Sequence, residues 1–128
     1  MKNVRAILID PFDCSVSYVE YPDTLKMIYK LLQCSTIDAQ HFFGDDYIYF
    51  DDEGKLKDNQ RYFQFSDSKI THKISNPVAL CGRCLIIGTD DEGGNANVNI
   101  DIDIIKEKIE WLPDGYKEEP FMRFIPLD

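Results

Sequence analysis

Between Ser15 and Leu32 the hydrophobic period of this chain changes, and that change constrains the fold more than any other feature. From Ser15 to Tyr21 the residues alternate. Val16, Tyr18 and Glu20 fall on one side of an extended chain, and Ser17, Val19 and Tyr21 on the other. This is the period of a β-strand. A β-rich run from Val4 to Ile9 precedes it and stops at Asp10-Pro11, so the short Pro-Phe-Asp-Cys connection predicts an opening hairpin. Pro22-Asp23-Thr24 then offers a helix N-cap. Leu25, Ile28 and Leu32 recur at helical spacing, with Met27 and Leu31 widening the stripe. The spacing predicts a core-facing helix of about three turns.

The same reading extends along the chain. Ile37–Phe43 and Tyr47–Phe50, separated by Gly44-Asp45-Asp46, form a second expected hairpin, closed by the turn Asp51–Gly54. Residues 55–61 are polar and Tyr62–Phe65 is a brief aromatic run. Between Ser66 and Asn76, the alternation of Ile70, His72 and Ile74 suggests a short edge strand. Val78 to Ile87 is the most hydrophobic run, expected as one strand crossing the sheet centre. Val98, Ile100 and Ile102 alternate as a strand. Ile105, Ile109 and Leu112 then recur at helical spacing from a start at Asp103 to a stop at Pro113-Asp114-Gly115. The expected class is α+β, a small, mostly antiparallel sheet of about five to seven strands with two helices packed on it. Residues 1–115 are expected to form one domain. Residues 116–128 are expected as a docked tail, because exposing Phe121, Met122, Phe124, Ile125 and Leu127 together invites aggregation.

At 128 residues, 44% of them apolar, the chain has the size and composition of one globular domain. Eight Phe and seven Tyr supply large buried areas, so a core is expected without disulfides, metal or cofactor. Lys and Arg number 14 against 23 Asp and Glu, a net charge of −9. That sign opposes contact with nucleic acid or an anionic membrane, and neither is an expected partner. Solubility explains the acidity more simply than imitation of DNA does. Ile7–Ile9 is too short for a signal-peptide core, and no apolar run reaches membrane length. The four cysteines are therefore expected reduced, in a cytoplasm.

Candidate chemistry is sparse. Cys81-Gly82-Arg83-Cys84 has redox and half-zinc-site spacing, but it lies in an apolar strand whose geometry sends the two thiols to opposite faces. Cys14 and Cys34 stand alone, so buried, inert thiols are the expectation. His41 and His72 fall in alternating segments outside any metal or triad spacing. The string Asp-Asp-Glu-Gly occurs twice, at 51–54 and 90–93. If the two turns faced each other, Asp51, Asp52, Asp90 and Asp91 would offer hard oxygen ligands to a divalent cation. Asp and Gly also make turns through local hydrogen bonds and positive φ, and turn chemistry suffices. Between the turns, Lys57-Asp58 leads into Asn59, Gln60, Arg61 and Tyr62. There directional amides, a two-pronged guanidinium and aromatic rings could take a phosphate or a planar ligand. The simpler reading is a polar loop before an edge strand.

Taken in order, Ala6-Ile7-Leu8-Ile9-Asp10-Pro11, Glu20-Tyr21 with Ile28-Tyr29-Lys30-Leu31, Asp51–Gly54, Asn59–Phe63 and Gly82 through Gly88-Thr89-Asp90 resemble a family of small uncharacterised phage and mobile-element proteins. The similarity runs from about residue 4 to about residue 93, leaving 116–128 outside it. In that family small residues commonly stand at the places of Cys81 and Cys84, which further weakens a redox reading. The resemblance implies an accessory protein in a bacterial host's cytoplasm. It would act without catalysis by binding a host protein such as an anti-phage defence effector, or a small nucleotide messenger. A divalent-metal-dependent hydrolase built on the acidic turns, or a structural protein that forms homo-oligomers, are the alternatives.

Overall fold

Strands β1 (Asn3–Asp10) and β2 (Ser15–Pro22) form the expected opening hairpin, in unbroken antiparallel register from Asn3 opposite Pro22 to Asp10 opposite Ser15. This is a computed structural model, and it describes residues 2–65 and 79–116. Helix α1 (Leu25–Leu32) follows, capped by Thr24, whose side-chain oxygen accepts the backbone N–H of Met27 at 3.2 Å. It ends where Gln33 turns left-handed at φ 54°. Strands β3 (Ile37–Phe43) and β4 (Asp46–Asp51) make the second hairpin, and a short 3₁₀ turn covers Gly54–Leu56. After these come β5 (Tyr62–Phe65), β6 (Leu80–Cys81), β7 (Cys84–Thr89), β8 (Asn95–Ala96), α2 (Ile102–Lys108) and β9 (Ile109–Trp111).

Among the described residues the strands sort into two sheets, with every pairing antiparallel. The larger sheet has six strands in the order β2-β1-β7-β4-β3, with β8 pairing β7; the smaller has the order β6-β5-β9. The central strands β1 and β7 are buried on both faces. Val4, Ala6, Leu85 and Ile87 meet Ile28 and Leu32 of α1. On the other face Ile7, Ile9, Cys84 and Ile86 meet Phe63 and Phe65 of the small sheet, Val98, Ile100, and Ile105 of α2. The result is an α+β fold with a helix on one face of a mostly antiparallel sheet and a second sheet and helix on the other.

Four local expectations are corrected. Val78–Ile87 is not one strand: Gly82 adopts φ 74°, which breaks the run so that Cys81 ends β6 in the small sheet and Cys84 begins β7 in the large one. Asp46 is no turn residue but the first of β4, and it is fully buried. Val98 and Ile100 are buried without forming a strand, and α2 starts earlier than expected, capped by Asp101. That helix stops at Lys108, because Ile109 and Trp111 extend to pair with Phe65 and Phe63. The expected edge strand with Ile70, His72 and Ile74, and residues 117–128 of the expected tail, lie outside the described residues.

Candidate functional site

The register brings four separate segments to one end of the large sheet. Ile9 lies opposite Cys84, and continuing the β4–β7 register beyond Tyr49 opposite Leu85 sets Asp51 level with Arg83. The β1–β2 loop, the end of α1, the segment after β4 and the Gly82-Arg83 break therefore converge.

The segment after β4 is held in place by Gln60. Its side-chain amide donates to the Gly54 carbonyl at 2.9 Å, and it lies against Gly82. A Cβ at Gly82 would stand 3.5 Å from that amide, and a Cβ at Gly54 would stand 2.9 Å from Cys81 Sγ. Asn59 is left-handed at φ 62°, and the Gly82 N–H donates to the Arg61 carbonyl at 3.0 Å. The chain thus curls outward over residues 57–61 and returns to pair as β5.

This curl forms the shared wall of two adjoining hollows, each of about 450 Å³. Phe12, Lys57, Asp58, Asn59 and Gln60 line both. The first continues to Arg61, Tyr62, Asp114 and Tyr116; the second continues to Gln33, Asp51 and Arg83. Each cationic side chain is anchored by a carboxylate. Lys57 donates to Asp51 at 2.5 Å, a bond that raises the ammonium pKa above its ordinary value. Asp51 also accepts from the Thr36 hydroxyl at 3.2 Å and the Glu53 N–H at 2.9 Å. Arg61 pairs with Asp114. Arg83 donates through Nε to Asp10 at 3.3 Å and through Nη1 to Gln33 at 3.2 Å, with its guanidinium 4.9 Å from the centre of the Phe12 ring.

The residues Asn59, Gln60, Arg61 and Tyr62, singled out from sequence, all line the first hollow. Tyr62, though, is only 3% exposed, with its ring edge-on to Tyr116 at 5.1 Å, so it forms wall and not a stacking face. The exposed rings lining the first hollow are Phe12 and Tyr116, at 41% and 37%. Sequence reasoning passed over Phe12, Gln33, Arg83 and Asp114. Its one available signal was Gly82, the residue able to break the apolar run and turn Arg83 outward.

The two acidic turns are not brought together, which corrects the expectation of a shared cation site. β4 and β7 run antiparallel with Asp46 opposite Gly88, so Asp51 and Asp52 end one side of the pair and Asp90 and Asp91 the other. The strand rise separates them by roughly 20 Å. Asp90 accepts the N–H groups of Gly94 at 2.8 Å and Glu92 at 2.9 Å, which hold its carboxyl below the usual range. Asp52 and Asp91 are exposed. Among the described residues no group of three or more His, Cys, Asp or Glu is placed to hold a metal ion.

Cys81 and Cys84 are both buried, and burial pushes the Cys84 thiol well above its ordinary pKa. His41 sits 2.6 Å from the Gly44 carbonyl, within its own hairpin. Among the described residues no helix is long and apolar enough to cross a membrane.

Fold and recess together define a small α+β domain with a two-lobed, charged hollow at one end of its main sheet. The chain belongs to DUF3846, a domain of unknown function, which it matches over residues 1–110. The family is thus uncharacterised, as the resemblance implied, and the match runs on past residue 93 through α2. It includes every residue of the second lobe, while Asp114 and Tyr116 of the first lie beyond it. No curated protein and no solved structure shows a significant match to the chain.

Proposed function

We propose that this chain is a non-enzymatic, phage-type accessory protein that binds and inhibits a host component in the bacterial cytoplasm. The target is an anti-phage defence effector or the nucleotide messenger of such a system, and the recess around Asn59–Tyr62 is the binding surface. One observation carries the reading. In a chain of net charge −9, three cationic side chains line two adjoining hollows, Lys57 both of them, Arg61 the first and Arg83 the second. Each is anchored by a carboxylate before any ligand arrives. Pre-oriented guanidinium groups beside an exposed ring suit an anionic, partly aromatic ligand, because little side-chain entropy is left to lose on binding.

Thermal shift of the full chain against linear and cyclic nucleotides, beside capture of partners from a susceptible host's lysate, tests this. A ligand or a single captured protein is expected, and Arg61→Ala is expected to weaken binding of either by about tenfold or more. Undiminished binding of the same ligand or partner by Arg61→Ala and by Arg83→Ala would move the function away from the recess. Recovery of neither from any susceptible strain would overturn the reading as a whole.

A further inference from the structure

We infer that the two hollows are one bipartite site for a dinucleotide, linear or cyclic, with one phosphate met by each arginine. The inference rests on the recess being the binding surface, and it commits that surface to a ligand class. Its basis is the division of the recess. Each lobe, at about 450 Å³, has the size of a complete small-ligand site. Each ends at its own guanidinium, and the two lobes adjoin, sharing Phe12, Asn59 and Gln60 in their lining. A mononucleotide fills one lobe and leaves the second arginine without a phosphate.

The backbone explains how one short stretch sends two arginines apart. The Gly82 N–H is bonded to the Arg61 carbonyl, so Arg61 and Arg83 start from neighbouring backbone positions. Their side chains diverge, Arg61 to Asp114 and Arg83 to Asp10 and Gln33. Those last two bonds use two of the five N–H donors of Arg83, and a phosphate can take a pair of the rest. Phe12 lies between the lobes with Arg83 against its ring, and its exposed surface offers a stacking platform. The amides of Asn59 and Gln60 on the shared wall supply donors and acceptors suited to base edges or ribose hydroxyls.

Four carboxylates oppose an anion: Asp10, Asp51 and Asp114, each already paired with one of the three cations, and Asp58. Asp58 is exposed, and it lines both lobes. Its removal therefore makes a test that does not depend on weakening the fold.

The experiment is calorimetric titration of the full chain with cyclic di-AMP, cyclic di-GMP, linear diadenylate, AMP, GMP and inorganic phosphate. Dinucleotides are expected to bind one per chain, at least about tenfold tighter than the matching mononucleotide. Arg61→Ala and Arg83→Ala are each expected to weaken the dinucleotide by about tenfold or more, the loss expected for a charge-assisted hydrogen-bond pair. Asp58→Asn is expected to tighten it by about two- to fivefold, with unchanged thermal unfolding. Mononucleotides binding as tightly as dinucleotides, two per chain, would overturn the bipartite site and leave the recess as a nucleotide site. Capture of a host protein through the recess with no nucleotide binding would overturn the ligand class alone. Binding of neither would overturn this inference and the reading beneath it together.

Discussion

Asp46 and Asn99 are joined twice: Oδ1 of the aspartate accepts the Asn99 backbone N–H at 2.9 Å and its side-chain amide at 3.0 Å. The second oxygen accepts the Ile100 N–H at 2.8 Å. The carboxylate is fully buried, so these bonds replace water as its solvation. They also pin the irregular segment before α2 to the first residue of β4, which lets Ile100 and Ile105 reach the core. Asp46→Ala strands three donors, two of them backbone, and is expected to cost about 3 kcal/mol or more. Asp46→Asn keeps one acceptor oxygen and should cost about half of that. Urea denaturation of both variants measures the difference; a loss under about 1 kcal/mol for the alanine would mean the segment does not depend on this carboxylate.

Gly54 and Gly82 flank the Gln60 side chain and are required for different reasons. At Gly54 a methyl group would press on the buried Cys81 sulfur at 2.9 Å. Gly54→Ala is thus an overpacking change, expected to cost about 1–3 kcal/mol. Gly82 sits at φ 74° with only ordinary contacts around its would-be Cβ, so Gly82→Ala costs backbone strain of about 1–2 kcal/mol. A double-mutant cycle separates them. Adding Cys81→Ala should recover much of the Gly54→Ala loss and none of the Gly82→Ala loss. Equal recovery in both backgrounds would contradict the assignment.

The parts of the fold that could be read from sequence are those whose cause is local. The β1–β2 hairpin, the amphipathic stripe of α1 and its Thr24 cap all depend on residues within one element. Asp46 was illegible because Gly44-Asp45-Asp46 has the composition of a turn, and its bonding partners stand 53 and 54 positions away. The twin Asp-Asp-Glu-Gly strings misled for the opposite reason. Local resemblance suggested a shared site, but antiparallel pairing of β4 and β7 sends the two turns to opposite ends. The candidate site was half legible. Asn59 to Tyr62 announced themselves by chemistry, whereas Arg83 joins them only because Gly82 breaks the most apolar run and Asp10, 73 positions away, receives its guanidinium.

Alkaline pH is expected to destabilise the protein. Burial raises Cys84 and Cys34 above their ordinary 9.0, and Tyr21 and Tyr49 above their ordinary 10.0. Each group keeps its proton longer in the folded chain than in the unfolded one. The folded state therefore binds more protons above those values, and stability falls as pH rises through them. Tyr21→Phe isolates one contribution. The Tyr21 hydroxyl is buried without a hydrogen-bond partner among the described residues, so at neutral pH its removal should change stability by less than about 1 kcal/mol or improve it. The same variant should show a shallower decline above the ordinary tyrosine value of 10.0. Urea midpoints across that range decide the matter, and an unchanged decline would place the sensitivity in the thiols and Tyr49.

The acid limb of the stability profile should report on Asp90. The Gly94 and Glu92 N–H groups, aided by Lys2 at 3.9 Å, lower its carboxyl below the ordinary 3.8. A depressed carboxyl gives stability that is fully present above the unfolded value and is lost as pH falls through the folded one. Asp90→Asn is therefore expected to flatten the profile below about pH 4, while differing little from the parent chain in slope near neutrality. Because the larger causes are backbone N–H donors held by the turn, the difference between the two chains should persist in about 0.5 M salt, where an exposed ion pair is screened. Lys2→Ala should then leave most of the acid limb intact. A difference that vanished in salt, or that Lys2→Ala reproduced in full, would show that the ion pair and not the turn sets the carboxylate.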